Sequence, residues 1–274
     1  MLRHDWTIVC RDGAELYVRE WQPSEGVVKG LVCLLHGMGE HGERYSHLAK
    51  ALAEDGFAVI APDQRGHGRT PGKRGHIPPY AAMDDAETVL REAMDRHPFV
   101  PAFLYGHSMG GNIALNCALR YKPPIRGLVL SSPWLRLAFR PPAVKVWLGR
   151  GIARLSPEFS QPTGLRKEDL YRPGYIRETE DPYVHTSITV SSFLDLEETG
   201  KWALRHAASL HCPLLLLHGT ADRITSWAAS AELSDTLGER CRFLSWQDGL
   251  HELHNDAEGK EVIYAVSNWM QGQL

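Results

Sequence analysis

Residues 106–110 read Gly-His-Ser-Met-Gly, a G-x-S-x-G pattern that can hold Ser108 as a nucleophile. An apolar run at 102–105 precedes the pattern and an amphipathic run at 111–120 follows it, which predicts a strand, a sharp turn and a helix. The glycines at both ends allow strand and helix to approach closely. The N-terminus of the following helix directs backbone N–H groups towards a developing oxyanion. The pattern therefore predicts nucleophilic catalysis by Ser108.

A nucleophilic serine needs a histidine base that is oriented by a carboxylate. In open parallel sheets such residues lie on loops beyond the carboxyl ends of the strands. Asp222 follows the apolar run at 213–218 through a short turn, and we predict it as the acid. Asp63 is the main alternative, although its surroundings are typical of a loop whose acid bonds nearby backbone. Asp248, close in sequence to the favoured histidine, is a second alternative.

His251 follows the last predicted strand, at 242–246, and is the predicted general base. His254 is the closest alternative. The sequence His-Glu-Leu-His at 251–254 superficially resembles the zinc motif H-E-x-x-H, but its histidines are three residues apart instead of four, so we predict no metal site. His107 adjoins the nucleophile and points the wrong way to take its proton, and His36 is better suited to shaping a loop.

An oxyanion hole needs two backbone donors. The first predicted donor is the N–H group of Met109, the residue after the nucleophile. The second is the N–H group of Met38, in the loop that follows the predicted strand at 30–35. Glycines at positions 37 and 39 permit a turn that directs this N–H group into the site.

The composition excludes several classes of function. The net charge of −3 over 274 residues is too small to favour nucleic-acid binding. The N-terminal segment lacks the pattern of a secretory signal, and no apolar run approaches the roughly 20 residues of a membrane-spanning helix. The cysteines are odd in number, far apart and mostly in apolar runs, which predicts free buried thiols and a cytoplasmic location. No cofactor is expected, and the oligomeric state stays open.

Strand-like and helical segments alternate along most of the chain. Apolar runs at 30–35, 57–61, 102–105, 127–131 and 213–218 are typical of strands buried on both faces. Their alternation with helical segments predicts a mostly parallel, doubly wound sheet of the α/β class, after an N-terminal hairpin. The predicted core comprises residues 1–132 and 211–274.

The alternation stops between residues 133 and 210, which we predict to be an inserted, mainly helical cap. Its first part, 138–155, is a basic amphipathic stretch. Three interpretations stay open for this stretch. Its apolar face packs on the sheet domain, it controls substrate entry, or it lies on a lipid interface.

Five motifs together resemble the monoacylglycerol lipase and lysophospholipase group of α/β-hydrolases. They are His-Gly-Met-Gly-Glu-His at 36–41, Asp-Gln-Arg-Gly-His-Gly at 63–68, Gly-His-Ser-Met-Gly-Gly at 106–111, Gly-Thr-Ala-Asp-Arg at 219–223 and His-Glu-Leu-His at 251–254. The likeness covers nearly the whole chain apart from the cap. It implies an α/β-hydrolase fold and a triad of Ser108, Asp222 and His251, with oxyanion donors at Met38 and Met109.

The resemblance also implies residues that hold a glycerol head group. The matching positions here are Glu40, Arg44, His107 and His254. Loop structure is the alternative explanation for the first two, because Glu40 and Arg44 are close enough in sequence to pair with each other.

The expected activity is hydrolysis of a small-molecule carboxylic ester, a monoacylglycerol or another medium- to long-chain acyl ester, through an acyl-enzyme. An amide-cleaving peptidase of the proline iminopeptidase type is the alternative enzyme. It needs acids in the cap to bind a free amino terminus, and the cap supplies Glu178, Glu180, Asp181, Glu197 and Glu198. A non-catalytic binding protein and a C–C bond hydrolase on the same triad are further alternatives.

Overall fold

The computed structural model describes residues 1–172 and 181–274. The strands are β1 (Leu2–Val9), β2 (Glu15–Gln22), β3 (Gly30–Leu35), β4 (Phe57–Pro62), β5 (Ala102–His107), β6 (Gly127–Ser131), β7 (Ser160–Pro162), β8 (Ser187–Thr189), β9 (Leu214–Gly219) and β10 (Cys241–Trp246). The helices are α1 (Ser46–Glu54), α2 (Pro79–Arg96), α3 (Met109–Tyr121), α4 (Ala143–Leu155), α5 (Lys167–Leu170), α6 (Val190–His206), α7 (Trp227–Leu237) and α8 (Gly259–Gln271). The predicted alternation of strands and helices is confirmed.

Eight of these strands form one sheet in the order β1-β2-β4-β3-β5-β6-β9-β10. β1 pairs antiparallel with β2, and β2 antiparallel with β4, whereas the remaining neighbours are parallel. The carboxyl ends of β3, β5, β9 and β10 therefore reach one edge of the sheet. This is the α/β-hydrolase arrangement that the motifs predict, and the fold class is confirmed.

Both faces of the sheet are covered because side chains alternate along each central strand. In β3, Leu31, Cys33 and Leu35 point to the face that carries α2, α3, α6 and α7. Val32 and Leu34 point to the opposite face, which carries α1 and α8. Every residue of β3 is buried, as the continuous apolar run predicts. A rigid sheet with both faces packed thus supports the loops at its carboxyl edge.

Helix α6 belongs to the core although it lies inside the predicted cap. Leu196, Ala203 and Leu204 of α6 are buried in the same apolar cluster as Ile113 and Leu115 of α3. We therefore propose that the inserted cap is shorter than predicted, and that it ends where α6 begins and not at residue 210. The sequence could not show this boundary, because a helix with one apolar face has the same residue pattern in the core as in the cap.

Helix α4 leaves most of its apolar side chains on the surface. It packs against α6, yet Gly149 is its one buried residue. Val144 is 69% exposed, Trp147 73% and Leu155 90%. The interpretation that the apolar face of this stretch packs on the sheet domain is therefore wrong for most of the helix.

The five cysteines are free, and four of them are buried, as predicted. Burial in the apolar core raises the pKa of the Cys33 thiol to about 12, so this cysteine stays protonated and unreactive. Within the described ranges, no helix is both long enough and apolar enough to cross a membrane.

Candidate active site

Ser108 lies in a strained turn between β5 and α3. Its φ of +52° and ψ of −115° are values that residues with a side chain rarely adopt. A Cβ atom added at Gly106 would lie 2.4 Å from the carbonyl oxygen of Gly110, and one added at Gly110 would lie 2.2 Å from that of Leu35. Only glycine permits these approaches. The G-x-S-x-G pattern is therefore a packing requirement of the turn that presents Ser108.

His251 links Ser108 to Asp222. Its Nε2 atom lies 2.9 Å from Oγ of Ser108, and its Nδ1 atom lies 2.7 Å from Oδ2 of Asp222. Asp222 follows β9 and His251 follows β10, so all three side chains meet at the carboxyl edge of the sheet. Nδ1 faces a carboxylate and donates to it, which leaves Nε2 to accept the serine proton. The structure thus brings together the three residues predicted as a triad.

The carboxylate of Asp222 is buried but well supplied with donors. The backbone N–H groups of Ile224 and Thr225 donate to Oδ1 over 2.7 and 3.0 Å, and the Thr225 hydroxyl donates to Oδ2 over 2.8 Å. Burial by itself raises the pKa of Asp222, but His251 and His218 outweigh it and hold the pKa well below the usual range. Burial disfavours the charged form of His251, yet the charge of Asp222 raises the pKa of His251 above its ordinary value.

The alternative acids have other partners. Asp63 is fully buried, pairs with Arg19 and accepts backbone N–H groups from Gly42 over 2.9 Å and Arg69 over 2.8 Å. It therefore orders its own loop, as its sequence surroundings predict. Asp248 lies in a turn of left-handed backbone, with a φ of +57°.

Histidines outside the triad organise loops around it. Nε2 of His36 accepts the backbone N–H of Gln64 over 2.9 Å, and its Nδ1 donates to the carbonyl of Gly37 over 2.8 Å. The rings of His67 and His185 lie 4.7 Å apart. Among residues 1–172 and 181–274, no group of three histidine, cysteine or acidic side chains is arranged to hold a metal ion.

The two predicted oxyanion donors lie beside Ser108. Met109 is the first residue of α3, where backbone N–H groups have no partner within the helix. Met38 lies in the turn after β3, and this turn approaches the nucleophile closely. A Cβ atom added at Gly37 would lie 3.4 Å from Cβ of Ser108. The N–H group of Gly37 donates to Oε1 of Glu40 over 2.6 Å, which fixes the turn.

A cavity of about 160 Å³ opens beside Ser108, and we call it the polar cavity because most of its lining residues are polar or charged. Glu40, Arg44 and His107 line it, as the resemblance implies. Arg44 donates from Nε to Glu40 over 3.1 Å and from Nη2 to Glu252 over 3.0 Å. The pairing of Glu40 with Arg44 is thus present in addition to their position on the cavity wall.

His254 lies behind the cavity and not on its wall. Its ring stacks on Tyr45 with the centroids 4.7 Å apart, and it meets His107 edge-on at 5.1 Å. Burial lowers the pKa of His254 well below its usual value. Burial and the nearby His251 lower the pKa of His107 to about 3, so both rings are neutral. His254 therefore packs against His107 and is not among the residues that line the cavity, and its contact with a head group stays a prediction.

A second cavity, of about 470 Å³, also contains Ser108, and we call it the apolar cavity because most of its lining residues are apolar. Its apolar lining residues are Met38, Trp134, Leu137, Phe139, Leu165, Ile188, Phe193 and Ile224. A charged cluster lies at one side, where Arg166 donates to Asp169 over 2.8 Å. Most of these residues lie between 133 and 193, where the chain has no motif. The apolar composition of that stretch was the one signal for them.

The polar cavity also contains residues that the sequence analysis missed. Among the polar and charged ones are Thr163, Lys167, Tyr171, His185 and Glu252. Glu252 adjoins His251, and its position in the last motif was an available signal. The others come from the cap, and only the folded chain brings them to the site.

The cap acids that a peptidase would need are engaged elsewhere. Asp181 contacts Nε2 of His41 at 2.8 Å, and Glu197 accepts the indole N–H of Trp134 over 2.7 Å. Glu198 pairs with Lys201. None of these three acids lines the two cavities that contain Ser108. The remaining candidates, Glu178 and Glu180, lie outside the described residues.

Comparisons with known proteins agree with this architecture. The protein family described as serine aminopeptidase, S33, matches residues 26–258. A monoacylglycerol lipase from Mycolicibacterium smegmatis is 32% identical over 96% of this chain and 95% of its own length. A Dictyostelium discoideum protein described as an uncharacterized abhydrolase domain-containing protein is 30% identical over 97% of this chain, which spans 29% of that protein's length.

The crystal structure of a monoacylglycerol lipase from Paleococcus ferrophilus is 32% identical in sequence. It superposes with a TM-score of 0.85 and covers 94% of this chain and 99% of that one. The chain therefore belongs to the monoacylglycerol lipase-like α/β-hydrolases, a family of carboxylic ester hydrolases.

Proposed function

We propose that this enzyme hydrolyses monoacylglycerols or similar medium- to long-chain acyl esters, with Ser108 as the nucleophile. One observation carries the proposal. Ser108, whose Oγ is in hydrogen-bond contact with His251, lines both cavities, one of which has mostly polar and charged lining residues and the other mostly apolar ones. A substrate with a polar alcohol and an apolar acyl chain fits this arrangement, since hydrogen-bonding side chains are concentrated in one cavity and aliphatic and aromatic side chains in the other.

In the first half of the reaction, Nε2 of His251 takes the hydroxyl proton as Oγ of Ser108 adds to the ester carbonyl carbon. The N–H groups of Met38 and Met109 stabilise the resulting oxyanion, each by about 3 kcal/mol. The bond to the alkoxy oxygen then breaks. That oxygen takes the proton from His251 and departs as the alcohol, which leaves an acyl-enzyme.

In the second half, a water molecule gives a proton to His251 as its oxygen adds to the acyl carbon. The bond to Oγ of Ser108 breaks, the serine recovers the proton and the carboxylic acid is released. Asp222 stays ionised throughout, because its donors hold the pKa of its carboxyl low. It orients His251 and stabilises the imidazolium form.

We place the alcohol in the polar cavity, where Glu40, Arg44 and His107 line the wall. The carboxylate of Glu40 already accepts from Gly37, Tyr45 and Arg44. Its first role is therefore to hold the turn that carries Met38. Arg44, which lines the same wall, is the better candidate for contact with hydroxyl groups.

We place the acyl chain in the apolar cavity. This cavity shares Phe139, Ile188 and Phe193 with a groove of about 500 Å³ beneath α4. Lys145 is the one charged residue among those that line the groove. An acyl chain that is too long for the apolar cavity can therefore extend into the groove along apolar residues.

The outer face of the cap supports a transient contact with a lipid surface. Trp147 and Leu155 are exposed on α4. Residues 133–157 contain five Arg or Lys and no Asp or Glu. Apolar side chains among basic ones are typical of interfacial helices. Sedimentation with anionic vesicles, stronger for the wild type than for Trp147→Ser, is the expected result, and equal sedimentation would exclude the contact.

A panel of monoacylglycerols and p-nitrophenyl esters of graded acyl length tests the proposed activity. Replacing Ser108→Ala should reduce turnover by roughly 10⁴-fold or more. Ser209→Ala removes a hydroxyl from an exposed serine in the 3₁₀ helix Ala207–Ser209 and should leave turnover unchanged. Residual activity above a tenth in the Ser108→Ala variant would overturn the nucleophile assignment.

The peptidase alternative is kept because the matched family is described as a serine aminopeptidase. Proline-arylamides assayed beside the monoacylglycerols distinguish the two activities. Cleavage of the amides alone would favour the peptidase. Failure of a fluorophosphonate to label the wild type, where a control esterase reacts, would favour a non-catalytic binding protein.

A further inference from the structure

His218 is a buried histidine, at the end of β9, that the proposed mechanism does not use. Its side chain is fully buried. Its Nε2 atom lies 3.1 Å from Oδ2 of Asp222, the same oxygen that accepts from His251. On the other side of the ring, Nδ1 lies 2.7 Å from Oγ of Ser230. A second histidine ring is therefore packed against the carboxylate of the proposed triad.

The neighbours of His218 determine which ring nitrogen carries its proton. Besides Asp222, Nε2 faces the carbonyl oxygen of Thr225 at 3.3 Å. An ionised carboxylate and a carbonyl can only accept, so Nε2 must donate. Nδ1 then accepts from the hydroxyl of Ser230, which lies in α7. This tautomer gives both buried nitrogens a partner, as buried polar groups require.

The donor on Nε2 is shared between two acceptors of one short loop. Asp222 provides the carboxylate and Thr225 the carbonyl, and between them the chain turns away from β9. The hydroxyl of Thr225 donates back to Oδ2 of Asp222. The imidazole ring of His218 thus links the 222–225 loop to β9, on which it lies, and to Ser230 of α7.

We propose that His218 is a positioning residue, which holds the 222–225 loop and shares the charge of Asp222 by donating from Nε2. This inference rests on the proposed roles of Ser108, Asp222 and His251. A donor beside Oδ2 withdraws part of the negative charge that faces Nδ1 of His251. The loop N–H groups and the Thr225 hydroxyl still hold the carboxylate when this donor is removed. Its removal should therefore strengthen the electrostatic attraction between Asp222 and the imidazolium form of His251.

A matched pair of substitutions tests this role. His218→Gln retains an N–H donor and His218→Met does not, while both side chains are unbranched and of similar length. We expect His218→Met to lose roughly tenfold in kcat/KM, the usual effect of removing one hydrogen bond to a charged group. The acid limb of its pH profile should move upward by about half a pH unit. His218→Gln should keep the wild-type profile and stay within about threefold of its activity.

Equal losses in both variants would overturn the proposal, because they would show that only packing matters at this position. An unchanged or downward-shifted acid limb in His218→Met would overturn it as well. Ser108→Ala is assayed in the same series. If Ser108→Ala stays active, the proposed function fails; if it is inactive while His218→Met behaves as wild type, only the role of His218 fails.

A measurement on the wild-type protein covers the case in which His218→Met does not fold. In protein labelled with ¹⁵N-histidine, the shifts of His218, assigned by comparison with His218→Gln, report which nitrogen is protonated. We expect a protonated Nε2. A proton on Nδ1 alone would remove the donor to Asp222 and overturn the proposal.

Discussion

The Nε2 atom of His251 lies 2.9 Å from Oγ of Ser108, although 143 residues separate them along the chain. This distance places the base within hydrogen-bond reach of the proton that it takes. The strained backbone of Ser108 and the carboxylate of Asp222 hold the two ends of this contact. Changes to either support should therefore alter catalysis in measurable ways.

The pH profile of kcat/KM should show one limb in the acid range. Catalysis needs neutral His251, and the charge of Asp222 raises the pKa of His251 above 6.5. Activity should therefore rise with pH through a midpoint above 6.5 and then reach a plateau. Asp222→Asn removes that charge, so the midpoint should move down and kcat should fall by roughly 10⁴-fold. A wild-type midpoint below 6.5 would contradict this account.

The turn at Ser108 should not tolerate a side chain at Gly110. A Cβ atom there would lie 2.2 Å from the carbonyl oxygen of Leu35. Gly110→Ala should destabilise the fold by about 2 kcal/mol or more, lower Tm by roughly 4–8 °C and reduce esterase activity.

Gly151→Ala is the matched control for this change. Gly151 lies in the exposed helix α4 with open space around it. Alanine there should stabilise the protein by about 0.5–1 kcal/mol, because it is the better helix former. Equal Tm values for the two variants would show that a side chain at position 110 does not destabilise the fold.

Glu40→Gln should impair all ester substrates alike. The carboxylate of Glu40 holds the N–H of Gly37 and the hydroxyl of Tyr45, each at 2.6 Å, and thereby the turn that bears Met38. We expect a loss of roughly tenfold in kcat, equal for a monoacylglycerol and a p-nitrophenyl ester. Arg44→Met should instead affect the monoacylglycerol more strongly. If Glu40→Gln impaired only the glycerol ester, a direct head-group contact would explain Glu40 better.

Filling the groove beneath α4 should shorten the preferred acyl chain. Ile152 lines this groove and is 37% exposed. Ile152→Trp should lower kcat/KM for long-chain esters and leave that for short-chain esters unchanged. Each methylene group of the acyl chain that can no longer be buried in the groove loses about 0.8 kcal/mol of binding free energy.

Leu155→Trp makes a similar change on the same helix, at a residue that is 90% exposed and lines neither the groove nor the two site cavities. Its acyl-length profile should match the wild type. The same shift in both variants would point to an effect of α4 on the surface instead of the groove.

Residues whose constraints are local could be predicted from the sequence. The glycines around Ser108 are needed by a turn that no other residue permits, so a short pattern revealed them. Asp222 and His251 were found because parallel strands end at one edge, which makes a position after a strand informative. The strands themselves were readable because burial on both faces requires continuous apolar runs.

The site residues that lie between 133 and 193, and those that support the triad from behind, could be identified only in the folded chain. Trp134 and Phe193 reach the apolar cavity, and Glu252 pairs with Arg44, through contacts between distant parts of the chain. Apolar residues give the same sequence pattern whether their side chains line a cavity, fill a core or face solvent. His254 shows the reverse case, since the resemblance implies contact with a head group, while its ring stacks on Tyr45 and is not among the residues that line the polar cavity.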